Sequence, residues 1–238
     1  TLSGIFLGQT KTEVSRREPY YVGRGHIAYV GDNSTNGITG PLSGYRYRFQ
    51  AEKMFARYNL YAGLADFRKY FFRKPVSLGF RFLHYARFGE DENALYPMYA
   101  GDYYFVRGYT YNSFGSSATG LKETQLDPRN LLGSKLGVFN AEVRFPLSGP
   151  ERLTLFKSKY LYSTLVGFFD GGFAVNDYND LRFSWDPLEN KRIPVFSSGL
   201  ALRINLFGYL VLEPYIAKPF QRNDKDYIYG ILIRGFGW

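Results

Sequence analysis

Cysteine is absent from the 238 residues, which removes disulfide cross-links, thiolate metal sites and a thiol nucleophile from consideration. Histidine is nearly absent. His26 and His84 stand far apart with no carboxylate constellation around either, so no metal centre is expected. No run approaches the roughly 18 apolar residues that a membrane helix needs, and mean hydropathy is slightly polar. The serines between Asn112 and Thr119 have no histidine partner, which argues against a hydrolase. Neither an enzyme nor a bound cofactor is expected. No positively charged leader with an apolar run and cleavage site opens the chain, so a mature form or a fragment is the expectation.

What is abundant is aromatic side chains and glycine: 22 Tyr, 22 Phe and 26 Gly. A soluble core buries only so many rings, whereas a membrane β-barrel faces rings into lipid and sets girdles of them at both interfaces. The formal net charge is +9, which by itself suits nucleic acid, anionic lipid or a cation-rich lumen. Position separates these. The arginines alternate with aromatics inside apparent strands instead of clustering in one run, as residues pointing into a barrel would. A basic β domain stacking nucleic-acid bases on its aromatics is the competing reading.

Period-two alternation is clearest from Gly44 to Phe55, where Tyr45, Tyr47, Phe49, Ala51 and Phe55 share one face and Arg46, Arg48, Gln50 and Glu52 the other. Val76, Leu78, Phe80 and Phe82 oppose Ser77, Gly79 and Arg81. Phe139, Ala141, Val143 and Phe145 oppose Val138, Asn140, Glu142 and Arg144. Leu200, Leu202, Ile204 and Leu206 oppose Gly199, Ala201, Arg203 and Asn205. Weaker candidates lie at 3–14, 20–31, 58–70, 160–175, 209–218 and 226–238. Together they predict an all-β fold: one transmembrane antiparallel barrel of about ten strands (range 8 to 12), a single domain over 1–238. Tyr45, Tyr47, Phe49, Phe80, Phe82, Phe139, Val143, Leu200, Leu202 and Ile204 are expected to face lipid. Arg73–Pro75, Pro146–Arg152 and the junction at Phe207 and Gly208 read as short turns. Glu90–Leu132 and Asn176–Pro194 read as long loops on the opposite side. Asp177, Asp180, Asp186 and Glu189 crowd the second of these; turn-forming, solvated acids account for them more simply than a cation site does.

Several motifs follow in fixed order: Asp32-Asn33 with Gly40-Pro41-Leu42-Ser43-Gly44, then Val106-Arg107-Gly108-Tyr109 in the long loop. Next come Leu132-Gly133-Ser134, Asn140-Ala141-Glu142-Val143-Arg144-Phe145, Phe168-Phe169-Asp170-Gly171-Gly172, Ser198-Gly199-Leu200-Ala201-Leu202-Arg203 and Ala217-Lys218-Pro219-Phe220. A strand ending in Trp238 closes the chain. This order, over roughly residues 20–238, resembles the C-terminal barrel region of the outer-membrane-protein assembly factors. That superfamily includes BamA and the two-partner-secretion transporters and carries the bacterial surface antigen domain. Full members have sixteen strands behind periplasmic docking domains; a chain of this length implies a short member or the barrel portion of a larger protein.

The resemblance implies a protein of the bacterial outer membrane acting in membrane-protein insertion, translocation or lipid remodelling. A structural anchor for another domain or lipoprotein is the alternative, and a narrow diffusion channel comes last. It also implies that the long extracellular loop folds back into the lumen, placing Arg107, between Gly108 and the rings of Phe105 and Tyr109, against Glu142 and Asp170. Alternation independently turns Glu142 inward; for Asp170, which shares a face with Val166 and Phe168, the inward direction comes from the motif. The terminal strand ends in alternate aromatics, Phe236 and Trp238, and resembles the recognition signal of outer-membrane clients; with Gly230, where pairing would be weaker, it is also a candidate seam. The partners expected are outer-membrane lipid, client barrels and accessory lipoproteins, with no nucleic acid. The sequence sets no oligomeric state.

Overall fold

The computed structural model describes residues 21–114, 126–151, 154–158, 161–184, 192–208 and 210–235. Nine long strands dominate them: β1 (Val22–Asp32), β2 (Pro41–Ala56), β3 (Leu60–Arg73), β4 (Val76–Phe88), β5 (Lys135–Gly149), β6 (Tyr162–Val175), β7 (Val195–Leu206), β8 (Leu210–Pro219) and β9 (Ile228–Gly235). Each pairs antiparallel with the next in sequence, so the sheet is a meander without crossovers. Among the described residues no ladder joins β1 to β9. The expected strand at 3–14 lies outside them.

The alternation seen in sequence sorts the two faces as it should when one side of a sheet is oily and the other charged. All ten residues assigned to the apolar face lie on the outer side; Phe82 is 58% exposed and Leu200 is 53% exposed. The inner side carries Arg24 bonded to Glu52 and Asp66 bonded to both Arg68 and Arg81. Farther along, the inner side is buried beneath the 89–134 segment and the β1–β2 turn. From that turn Ile38 accepts a hydrogen bond from Asn205 at 2.6 Å, and Thr39 bonds Thr164 at 2.8 Å.

One expectation needs correction. Pro146 does not open a turn; β5 runs through it to Gly149, and Phe156–Lys157 then pairs briefly alongside Ser148 and Gly149. Pro146 lies opposite Thr164, where the β5–β6 register shifts between Ser163 and Thr164. Such an irregularity relaxes the demand for a ladder donor that proline lacks.

The described parts of the 89–134 segment, residues 89–114 and 126–134, are held by their own packing. Met98–Tyr99 pairs with Leu132–Gly133, and Asp127 caps the 3-10 turn Pro128–Leu131. Ala100, Val106, Tyr109, Leu126 and Leu131 join Leu136, Val138, Ala174 and Val195 of the sheet in one apolar cluster. At about 25 cal/mol per Å² of apolar surface, that burial is what sets the segment down on the inner face.

Candidate functional site

The place where this segment touches the sheet is set by a row of residues crossing four strands. Register puts Glu142 of β5 opposite Phe168 of β6, Phe168 opposite Gly199 of β7, and Gly199 opposite Ala217 of β8. The next row holds Asn140, Asp170, Ser197 and Pro219. Phe168 lies over Gly199, where any Cβ would strike its ring at 2.6 Å. The missing side chain of Gly199 leaves room for that ring, one face of which is turned to Arg107. Arg107 stacks on that face with its guanidinium carbon 3.5 Å from the centroid.

The guanidinium fork is filled. Arg107 Nε donates to Asp170 Oδ2 at 2.7 Å and Nη2 donates to Oδ1 at 2.9 Å, a bidentate pair. Nη1 donates to Glu213 Oε1 at 2.9 Å, and Nη2 also reaches Glu142 Oε1 at 3.3 Å. Arg203 Nη2 donates to both oxygens of Glu142 at 2.7 and 2.9 Å, and its Nε to Glu213 Oε2 at 2.7 Å. Arg144 Nε donates to Glu142 Oε2 at 2.9 Å and its Nη1 to the Pro41 carbonyl at 2.8 Å. Asn140 Nδ2 bridges Asp170 Oδ1 at 2.8 Å and the Phe105 carbonyl at 2.7 Å. Three arginines thus meet three carboxylates. Arg107 is only 2% exposed, and Asp170 and Glu213 are fully buried. Burial of this kind is tolerated because every charge has a partner and nearly every lone pair a donor.

The flanking residues hold the tip in register. Gly108 has φ +93°, and a Cβ there would come within 3.3 Å of the Ala217 Cβ. The Tyr109 hydroxyl lies 2.9 Å from the Phe196 carbonyl and 2.8 Å from Gln221 Oε1, and it accepts from the Gln221 N–H at 3.0 Å. A second buried cation grips the segment from outside this network: Arg222, between β8 and β9, donates to the Ser113 carbonyl at 3.0 Å and stacks 3.9 Å over Phe114. Beside Arg107 a polar cavity of about 70 Å³ remains, reached by Arg68, Arg81, Tyr103 and Tyr104.

Arg107, Gly108, Tyr109, Glu142 and Asp170 are therefore brought together at one spot. Sequence reasoning missed Glu213 and Arg222, and it left Arg203 and Arg144 as members of a polar face without a role. Glu213 was findable: it shares parity with Val211, Tyr215 and Ala217, all buried on the inner side. Asp170 does face inward along with Val166 and Phe168, because the inner side here is partly apolar beneath Val106 and Arg107.

Gly230 of β9 pairs with Tyr215 in an unbroken β8–β9 ladder, and its missing Cβ makes room for that tyrosine ring. Phe236 and Trp238 lie outside the described residues. Of the acids in the 176–194 connection, Asp177 caps a 3-10 turn by accepting from the Asn179 N–H at 2.9 Å; Asp186 and Glu189 lie outside the described residues. His84 Nε2 is 2.9 Å from the Tyr178 hydroxyl. Among the described residues no group of three potential metal ligands occurs.

Comparison with protein families places the Omp85 superfamily domain on residues 33–234. A search of curated proteins returned no match.

Proposed function

The chain belongs to the Omp85 superfamily, and from that premise we propose that it is a non-enzymatic outer-membrane β-barrel that inserts or translocates other proteins at that membrane. In this reading the apolar outer face meets lipid, the charged inner face lines a lumen, and the 89–134 segment is an infolded plug. The observation that carries the reading is the seat of Arg107 across the sheet, with partners on β5, β6 and β8 and with Arg203 of β7 sharing two of its carboxylates. It occupies the inner side of those strands, and in this reading the sheet edges, not an open pore, are the working surface. An unpaired strand edge offers its free N–H and C=O groups to another chain.

The test is client folding. The protein is reconstituted into vesicles of outer-membrane lipid, an unfolded small barrel protein is added, and its insertion is followed by heat-modifiable gel mobility. The expected result is faster insertion than in empty vesicles or in vesicles holding an unrelated plugged barrel. Equal rates in all three would overturn the proposal in favour of a structural anchor.

A further inference from the structure

The strand β9 has one side in the β8 ladder and the other at the edge of the described sheet. Which of its backbone groups face that edge follows from Pro214. The β7–β8 register skips between Ala201↔Tyr215 and Ile204↔Leu212, whereas the β8–β9 register runs unbroken through Pro214↔Ile231. Pro214 therefore turns its missing N–H toward β7. Groups on successive residues of an antiparallel strand face alternate sides, so Tyr229, Ile231 and Ile233, opposite Ile216, Pro214 and Leu212, direct their N–H and C=O groups away from β8, to the edge of the described sheet.

One of these groups is already taken, and by the plug segment. The Tyr104 hydroxyl donates to the Ile233 carbonyl at 3.0 Å. The Tyr104 backbone is held on both sides. Its N–H is held by Asp102 Oδ1 at 2.9 Å, and its carbonyl accepts from Arg81 Nη1 at 3.1 Å. The Phe105 and Val106 N–H groups close back on the Asp102 carbonyl at 2.8 and 3.0 Å. This tight turn fixes the distance from Tyr104 to Arg107, three residues on.

We infer that Tyr104 is a latch on the edge of β9 that faces away from β8, and that the plug must release the Ile233 carbonyl before the strand of a client protein can pair there. The inference rests on the insertion reading above and adds a control to it: the phenol O–H stands where the first backbone N–H of an added strand would donate. Because the Asp102–Arg107 turn is closed by its own hydrogen bonds, movement of the plug tip is coupled to release of the Ile233 carbonyl.

The full chain in lipid vesicles, carrying a photoreactive benzoylphenylalanine in place of the exposed Tyr229, provides the test. The probe is a synthetic peptide with this chain's own sequence from Ile228 to Trp238. Tyr104→Phe removes the donor and keeps the ring, and should raise peptide cross-linking about three- to tenfold, the equivalent of one neutral hydrogen bond. Cross-linking at or below the parent rate overturns the latch. If Tyr104→Phe does not insert, Arg81→Gln, which frees the Tyr104 carbonyl, must raise labelling instead; unchanged labelling overturns it equally. Client folding that is fast in the parent with no effect of Tyr104→Phe on cross-linking sinks the latch alone. Increased cross-linking in a protein that folds no client supports the latch and sinks the insertion reading.

Discussion

Removing Arg107 would not strand its three carboxylates equally. Glu142 keeps Arg203 and Arg144, and Glu213 keeps Arg203, whereas among the described residues Asp170 keeps two neutral donors, the amide of Asn140 at 2.8 Å and the backbone N–H of residue 107 at 3.3 Å, and no cation. Arg107→Ala should therefore destabilise the folded protein by about 3 to 5 kcal/mol, the range for breaking a fully desolvated pair. Most of that loss should trace to Asp170. Adding Asp170→Asn to Arg107→Ala should recover part of the loss, although Asp170→Asn alone is also damaging; a double-mutant cycle on the heat-modification midpoint reads the coupling. Additive losses would mean that the two side chains do not act as a pair. Gly108→Ala should cost roughly 1 to 2 kcal/mol from the left-handed backbone, less than Arg107→Ala by the same measurement.

At the level of the strand, alternation made the outer face legible because one residue of slip would reverse every side chain. Leu202, in register with Leu165 near the middle of β6–β7, tests that face. Leu202→Arg should lower insertion into vesicles by about 2 to 4 kcal/mol if the position lies at mid-membrane; unimpaired insertion would place it elsewhere. The Asn-Ala-Glu, Phe-Phe-Asp-Gly-Gly, Ser-Gly-Leu-Ala-Leu-Arg and Ala-Lys-Pro-Phe strings were also legible, and register explains their order. Glu142, Phe168, Gly199 and Ala217 form one row beneath Arg107 and Gly108. Illegible were contacts made between connections, since no periodicity links Arg222 to Ser113 over more than a hundred residues.

That clamp has a pH signature. Burial pushes the Asp224 carboxyl up, but hydrogen bonds and charge from Arg222 outweigh it, and the net direction is down from its ordinary value. A lowered carboxyl contributes stability that is complete above the ordinary carboxylate range and is lost as pH falls through the lowered folded value. Protease protection of residues 108–114 should therefore persist into mild acid and fail only below the ordinary aspartate range. Asp224→Asn should flatten that acid-side loss.

For the whole molecule the deciding quantity is the space left inside. Beside Arg107 the cavity is only about 70 Å³, whereas along the inner side of β1 to β3 a second one of about 350 Å³ is lined by Val30, Asp32, Arg46, Arg48, Asp66 and Arg68, so the tight closure is local to the seat of Arg107. The plug is also fastened at separate points with different chemistry: the charged seat of Arg107, the Tyr109 hydroxyl on Phe196 and Gln221, the Arg222 clamp, and Lys135 bonded to Glu92 at 3.0 Å. Loss of one leaves the others holding, so Arg107→Ala should loosen the tip without ejecting the segment. In planar bilayers the parent protein should be silent and Arg107→Ala should flicker between closed and conducting levels. Combining Arg107→Ala with Arg222→Ala should lengthen the open intervals, because the two anchors secure opposite sides of Gly108. Steady conductance by the parent would show that the segment does not fill the lumen in the membrane. Silence of the double variant, with insertion verified by heat modification, would show that apolar burial of Val106, Tyr109, Leu126 and Leu131 is by itself enough to keep the barrel closed.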